Sequence, residues 1–364
     1  MPSILDSRAK IKELDKSNLL GSVESLPDQI QDAWEATKDL VFPSDYANVK
    51  NIVVSGMGGS VLGSYVIKGL FKSELKIPFE IVSHYSLPEY VNSDTLVLLS
   101  SYSGTTEETL ASAQDARNRG AKIMVIASGG KLADLAKEHN WPLYLIKATY
   151  NPSNQPRLAI GYAIAGQLAL FAHAGVISDQ SELLKQTVVG LKKIIESLSP
   201  ELENNPAKLL AYAAFDKHAI FVAAEHLIGA AHVINNQFNE NAKSLTSEWH
   251  LPEFNHHYLE ALSFPKLAKD TTIFFLFNST LYHERVQKRV LITKALIEQK
   301  GFEVQLIQAT APTKLEQIFE IIQLGEFVSC YLAILYNVDP SPIPSVDWFK
   351  AQMNLQGNLQ GETS

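Results

Sequence analysis

The chain holds one cysteine, Cys330, in 364 residues. A single thiol excludes an internal disulfide framework and argues against a cysteine-based metal centre. It lies in the apolar run Phe327-Val328-Ser329-Cys330-Tyr331-Leu332-Ala333, where a thiol packs as a small hydrophobe rather than reacting. Excess positive charge is also lacking: the net charge is −8, which opposes non-specific nucleic-acid binding. No stretch approaches ~18 uninterrupted apolar residues, so no membrane span is expected. The opening residues Met1-Pro2-Ser3-Ile4-Leu5-Asp6 lack the apolar core of a secretory signal, and the expected compartment is the cytoplasm. Histidines and carboxylates show no clear ligand spacing, so neither a metal nor another cofactor is expected.

What is present is enough apolar material for sizeable cores. Hydrophobic residues make up 46% of the chain and charged residues 19%, and at ~150 residues per domain the length suggests two domains. Short apolar runs at 51–55, 79–82, 95–100, 122–127 and 143–146 alternate with helical patterns, one at about 60–72 and one ending near Arg119. Near-continuous apolar strands separated by helices imply an α/β fold with a doubly wound parallel sheet. Long helices follow over 157–197, parted at Gly175. The polar stretch from Ser197 to Pro206 reads as a linker.

The pattern then restarts, with strands at 219–223, 271–277 and 302–307 and helices near 226–235, 283–299 and 313–336. The two halves read as copies of one architecture. The expected organisation is a helical segment over 1–46, a first α/β domain over 47–197, a second over 206–338, and a C-terminal segment over 339–364.

Two strand-to-helix turns carry the chemistry. The first is Ser55-Gly56-Met57-Gly58-Gly59-Ser60. Gly58 and Gly59 let backbone approach an anion, the following helix offers free N–H groups, and Ser60 adds a hydroxyl. A dinucleotide fingerprint needs glycine at position 61, which is Val61, and the lysine of a P-loop is absent. The second turn, Ser100-Ser101-Tyr102-Ser103-Gly104-Thr105-Thr106-Glu107, is dense in hydroxyls. Hydroxyls and amides can surround a phosphate dianion without a cation. The same residues also fit a plain helix cap, with Ser or Thr three residues before Glu.

In this order and on this fold, the two turns resemble the SIS (sugar isomerase) domain family. The segments Gln155-Pro156-Arg157, Phe238-Asn239-Glu240-Asn241-Ala242-Lys243, Leu251-Pro252-Glu253-Phe254-Asn255-His256-His257, Leu324-Gly325-Glu326-Phe327-Val328-Ser329 and Val338-Asp339-Pro340-Ser341-Pro342 narrow the resemblance. Over about residues 45–352 the chain is similar to the bifunctional phosphoglucose/phosphomannose isomerase family. That resemblance implies two SIS-type αβα sandwich domains, flavodoxin-like or Rossmann-like, and a hexose 6-phosphate substrate. It assigns Glu240 as catalytic base, Arg157 to the enediolate and Lys350 as an assisting lysine. His256 would open the ring in the partner subunit's site of a homodimer. Ser60, Ser101, Ser103 and Thr106 would bind phosphate, and Ser341 stands where a hydroxyl is linked to mannose acceptance.

Aldose–ketose isomerisation needs a carboxylate to move a proton between C2 and C1, a positive partner for the enediolate, and an anchor for the phosphate. Burial beside apolar atoms would raise the Glu240 carboxyl toward neutrality. Taken singly, each of these residues also has an ordinary structural reading, such as a surface glutamate, an ion-paired arginine or a solvated lysine. The phosphate turns alone fit a non-catalytic phosphosugar sensor or an isomerase of another phosphosugar.

Overall fold

The structure, a computed structural model, describes residues 4–355, and within them nine strands form two parallel sheets. The first comprises β1 (Asn51–Gly56), β2 (Phe79–Val82), β3 (Thr95–Ser101), β4 (Lys122–Ala127) and β5 (Leu143–Leu145), in the order β2-β1-β3-β4-β5. The second comprises β6 (His218–Ala223), β7 (Thr246–His250), β8 (Thr272–Ser279) and β9 (Glu303–Ala309), in the order β7-β6-β8-β9. Every residue of the central strands β3 and β8 is buried, as expected of parallel strands covered by helices on both faces.

The four strands β6–β9 take the places that β1–β4 take in the first sheet, so the halves share one topology. One of these strands has no signal in the sequence. Thr246-Ser247-Glu248-Trp249-His250 is mostly polar, and it works as a strand because it lies at an edge where its polar groups find local partners. Glu248 bonds His232 Nδ1 at 2.6 Å and Ser247 bonds His218 at 3.0 Å.

In the first sheet, β1 sits between β2 and β3, so the connections leave it in opposite directions. In such sheets the crevice beyond the strand ends at this point is where ligands bind. The register sets Gly56 beside Ser100, so the glycine turn and the hydroxyl turn leave the sheet side by side.

One hydrophobic core runs through both halves. Its backbone is two buried helices, Ile160–His173 and Lys314–Leu335. The second is long and apolar enough to cross a membrane by length and composition, but 83% of its most apolar window is buried inside the protein. It serves as the central core helix, and two of the polar residues that it buries, Glu326 and Ser329, have a structural task described below.

Candidate active site

The two turns are tied to each other. Ser60 Oγ accepts from the Tyr102 amide at 2.8 Å, and Ser100 Oγ donates to the Ser60 carbonyl at 2.6 Å. Gly58 adopts a left-handed backbone (φ 49°), which costs a glycine nothing sterically. Ser101 Oγ lies 2.9 Å from Thr106 Oγ1 and accepts from the Gly104 amide at 3.1 Å. Ser103 Oγ accepts from the Thr105 amide at 3.3 Å and is exposed. Thr106 occupies the N-cap position of helix Glu107–Asn118, yet its hydroxyl makes no capping bond. The plain capping reading therefore accounts poorly for the Thr106 hydroxyl, which faces Ser101 across the turn.

Gly59 links this nest to the next part of the site. A Cβ there would lie 2.7 Å from Pro156 C and Arg157 N, so the turn is pressed against the backbone of the Pro156–Leu158 segment. The same segment is held to the hydroxyl turn from the other side, because Tyr102 Oη donates to Asn154 Oδ1 at 3.0 Å.

Arg157 is fully buried, and all five of its N–H groups are used. Nε donates to Asn241 Oδ1 at 2.5 Å. Nη1 donates to Gln155 Oε1 at 2.8 Å and to Glu240 Oε2 at 3.1 Å. Nη2 donates to the carbonyls of Pro340 at 3.0 Å and Ser341 at 2.8 Å. Burial lowers the guanidinium pKa, and the Glu240 carboxylate opposes that shift. Glu240 lies in a π-helical turn, Phe238–Ala242, that continues helix Ile228–Gln237. Such turns are rare and occur often at functional sites. The extra residue per turn presents Asn241 and Glu240 to the same arginine. The Glu240 side chain keeps 26% of its area exposed and faces a cation, in place of the apolar surround that the sequence suggested.

The SIS domain family model matches residues 45–172, and the bacterial phospho-glucose isomerase C-terminal SIS domain model matches residues 203–353. The bifunctional phosphoglucose/phosphomannose isomerase of Caldicellulosiruptor bescii is 35% identical over 339 residues, covering 91% of this chain and 98% of its own. This chain belongs to the bifunctional phosphoglucose/phosphomannose isomerase family. The Aquifex aeolicus enzyme of the same name is 32% identical, covering 85% of this chain and 92% of its own. Among solved structures, a hypothetical protein from Thermus thermophilus shares the fold with a TM-score of 0.74 at 18% identity, covering 97% of this chain and 94% of its own.

In this family member the chain brings Arg157, Glu240 and Ser341 together and packs Gly59 against the arginine. Ser341 contributes its carbonyl. Its hydroxyl is buried and has no hydrogen-bond partner among the described residues. His256 and Lys350 are not drawn to this centre within the single chain. His256 lies exposed on the short helix Phe254–His257, and Lys350 lies exposed on helix Pro344–Leu355. Their side chains have no hydrogen-bond partner among the described residues.

Other polar residues support the centre without a signal of their own in the sequence. Asn241 Nδ2 donates to Ser329 Oγ at 3.1 Å. Gln237 Nε2 donates to the Arg157 carbonyl at 3.1 Å and to Glu326 Oε1 at 3.0 Å. Burial pushes the Glu326 carboxyl well above the usual carboxylate range. The core helix thus holds the two residues that hold the arginine.

The second sheet lacks an equivalent nest. After β6 stands Glu225, in a left-handed backbone conformation (φ 44°), and its carboxylate accepts from the His283 amide at 3.1 Å. At the end of β8, Ser279 Oγ donates to Gln317 at 2.6 Å. An internal carboxylate occupies the amide that an anion would seek.

Proposed function

We propose that the protein interconverts glucose 6-phosphate, and also mannose 6-phosphate, with fructose 6-phosphate by proton transfer through a cis-enediolate. The observation that carries this reading is the continuous chain of contact from the hydroxyl nest, through Gly59 and Pro156, to Arg157 and Glu240. In this reading the phosphate is gripped by Ser60, Ser101, Ser103 and Thr106 with the amides beside Gly58 and Gly59. Glu240 lifts the proton from C2 and returns it at C1. Because Arg157 has no spare N–H, a sugar oxygen gains its charge by replacing Gln155 or Glu240 at Nη1. Replacing Glu240 frees the carboxylate for proton transfer just as the guanidinium turns to the developing enediolate.

His256 of a second subunit, with Lys350, would open the ring, which makes a homodimer the working unit. Ser341 would bear on mannose acceptance. Glycolysis or gluconeogenesis in the cytoplasm is the setting this reading implies. The test is formation of glucose 6-phosphate from fructose 6-phosphate, repeated with mannose 6-phosphate. Glu240→Gln should lower kcat by about 10²–10⁴ while leaving sugar phosphate binding nearly intact. A variant that keeps its rate would refute the base assignment, and a wild-type protein that binds fructose 6-phosphate without turnover would favour one that only holds phosphosugars.

A further inference from the structure

Lys243 ends the π turn that carries Glu240, and its backbone is left-handed (φ 54°), a conformation that non-glycine residues adopt at a cost. Although the residue is exposed overall, the three N–H groups of its ammonium serve four main-chain carbonyls, one N–H being shared. Two belong to its own turn, Glu240 at 2.9 Å and Asn241 at 3.1 Å. Two belong to the segment after the core helix, Asp339 at 3.1 Å and Pro340 at 3.0 Å. The Pro340 carbonyl also receives Arg157 Nη2, and the neighbouring Ser341 carbonyl receives Arg157 as well. One lysine and one arginine therefore grip the same turn from two sides. The turn is closed on itself by the Ser341 amide donating to Asp339 Oδ1 at 3.0 Å. Helix Pro344–Leu355, with Lys350, begins three residues later.

We propose that Lys243 is a positioning residue for the isomerisation: it pins the Asp339–Ser341 turn, which receives Arg157, to the turn that bears Glu240. It thereby sets the guanidinium against the carboxylate and fixes where the last helix departs. This rests on the reading in which Glu240 and Arg157 carry the chemistry. The charged groups that face the ammonium are Arg157, Asp339 and Glu240. Withdrawal from water, and then Arg157, bring Lys243 down to about 8, against the pull of Asp339 and Glu240. Above that pH the amine loses its charge and one of three donors, and turns a lone pair toward carbonyl oxygens.

The experiment uses the full chain with Lys243→Met, which keeps the stem, and Lys243→Asn, a residue that accepts a left-handed backbone. kcat and KM for fructose 6-phosphate are measured from pH 6.5 to 9.5, and backbone amide exchange over 339–355 is followed by mass spectrometry without substrate. The expected result at pH 7.5 is a kcat lower by about 10- to 100-fold with KM within about threefold, since a small misplacement of reacting groups costs that much. Wild-type kcat should fall above a pH of about 8, and this limb should be missing from both variants. Exchange over 339–355 should rise at least tenfold (an order-of-magnitude expectation) in both variants. A kcat within twofold of wild type, a retained alkaline limb, or unchanged exchange over 339–355 would each overturn the proposal. If the wild-type protein fails to isomerise sugars, the functional reading falls, and the exchange measurement still decides whether the clamp exists.

Discussion

Arg157→Lys keeps the charge and removes the fork, so it asks what the arginine's geometry is worth. Arg157 serves five acceptors in a fully buried site. A lysine offers three donors, so at least two acceptors among Asn241, Gln155, Glu240, Pro340 and Ser341 lose their partner. At about 1–3 kcal/mol for each buried group left unsatisfied, the variant should lose about 2–6 kcal/mol of stability. With a urea slope of about 3 kcal/mol/M, that lowers the unfolding midpoint by roughly 0.7–2 M. If Arg157 serves the enediolate as proposed, the rate should fall further than folding requires, because a lysine in its place lacks the fork that would reach both protein and sugar oxygens. Removing one donor of this kind costs about 10²–10³ in kcat. Both quantities are measured on one preparation, by urea titration followed by circular dichroism and by the fructose 6-phosphate assay. A variant with an unchanged midpoint and a kcat within threefold of wild type would show that charge alone suffices, and the reasoning from the five bonds would fail.

Three further outcomes follow from other contacts. Gly59→Ala places a methyl 2.7 Å from the Pro156 and Arg157 backbone; kcat/KM should fall at least about tenfold, with about 1–3 kcal/mol lost in stability. Glu326 has its carboxyl raised by burial, so the folded chain binds one more proton than the unfolded chain above the unfolded value of about 4.3. The contribution of Glu326 to stability is therefore greatest at low pH and drops as pH climbs toward the raised folded value, by up to about 1.4 kcal/mol per pH unit. Glu326→Gln should abolish that slope in unfolding free energies measured between pH 5 and 7. Mixing Glu240→Gln with His256→Ala homodimers and allowing subunits to exchange should restore about a quarter of wild-type activity if His256 acts across the interface, since one site in each mixed dimer is then whole. No recovery would place His256 in its own subunit's site.

The strands with apolar runs were legible in the sequence because both faces of a covered parallel strand are apolar, and β1, β3, β4, β6 and β8 have that character. β7 was not, because an edge strand with Glu248 and Ser247 bonded locally needs no apolar run. The candidate site shows the same division. The hydroxyl turns stand out as local clusters, whereas Arg157 and Glu240 rested on resemblance, being 83 residues apart. Their supports were invisible for a related reason. Glu326 and Gln237 lie 89 residues apart, and Asn241 and Ser329 lie 88 apart. A polar residue inside an apolar helix signals that it has a partner, but periodicity cannot say which one.

The Glu225 carboxylate on the His283 amide has a consequence for stoichiometry. Two halves with one strand order invite the expectation of two equivalent docking places, yet the second half has its own anion seated there, and a doubly charged phosphate would be repelled. In the proposed reading each polypeptide would take up a single sugar phosphate, with the second half serving as the platform that presents Glu240, Asn241, Gln237 and the core helix to the first.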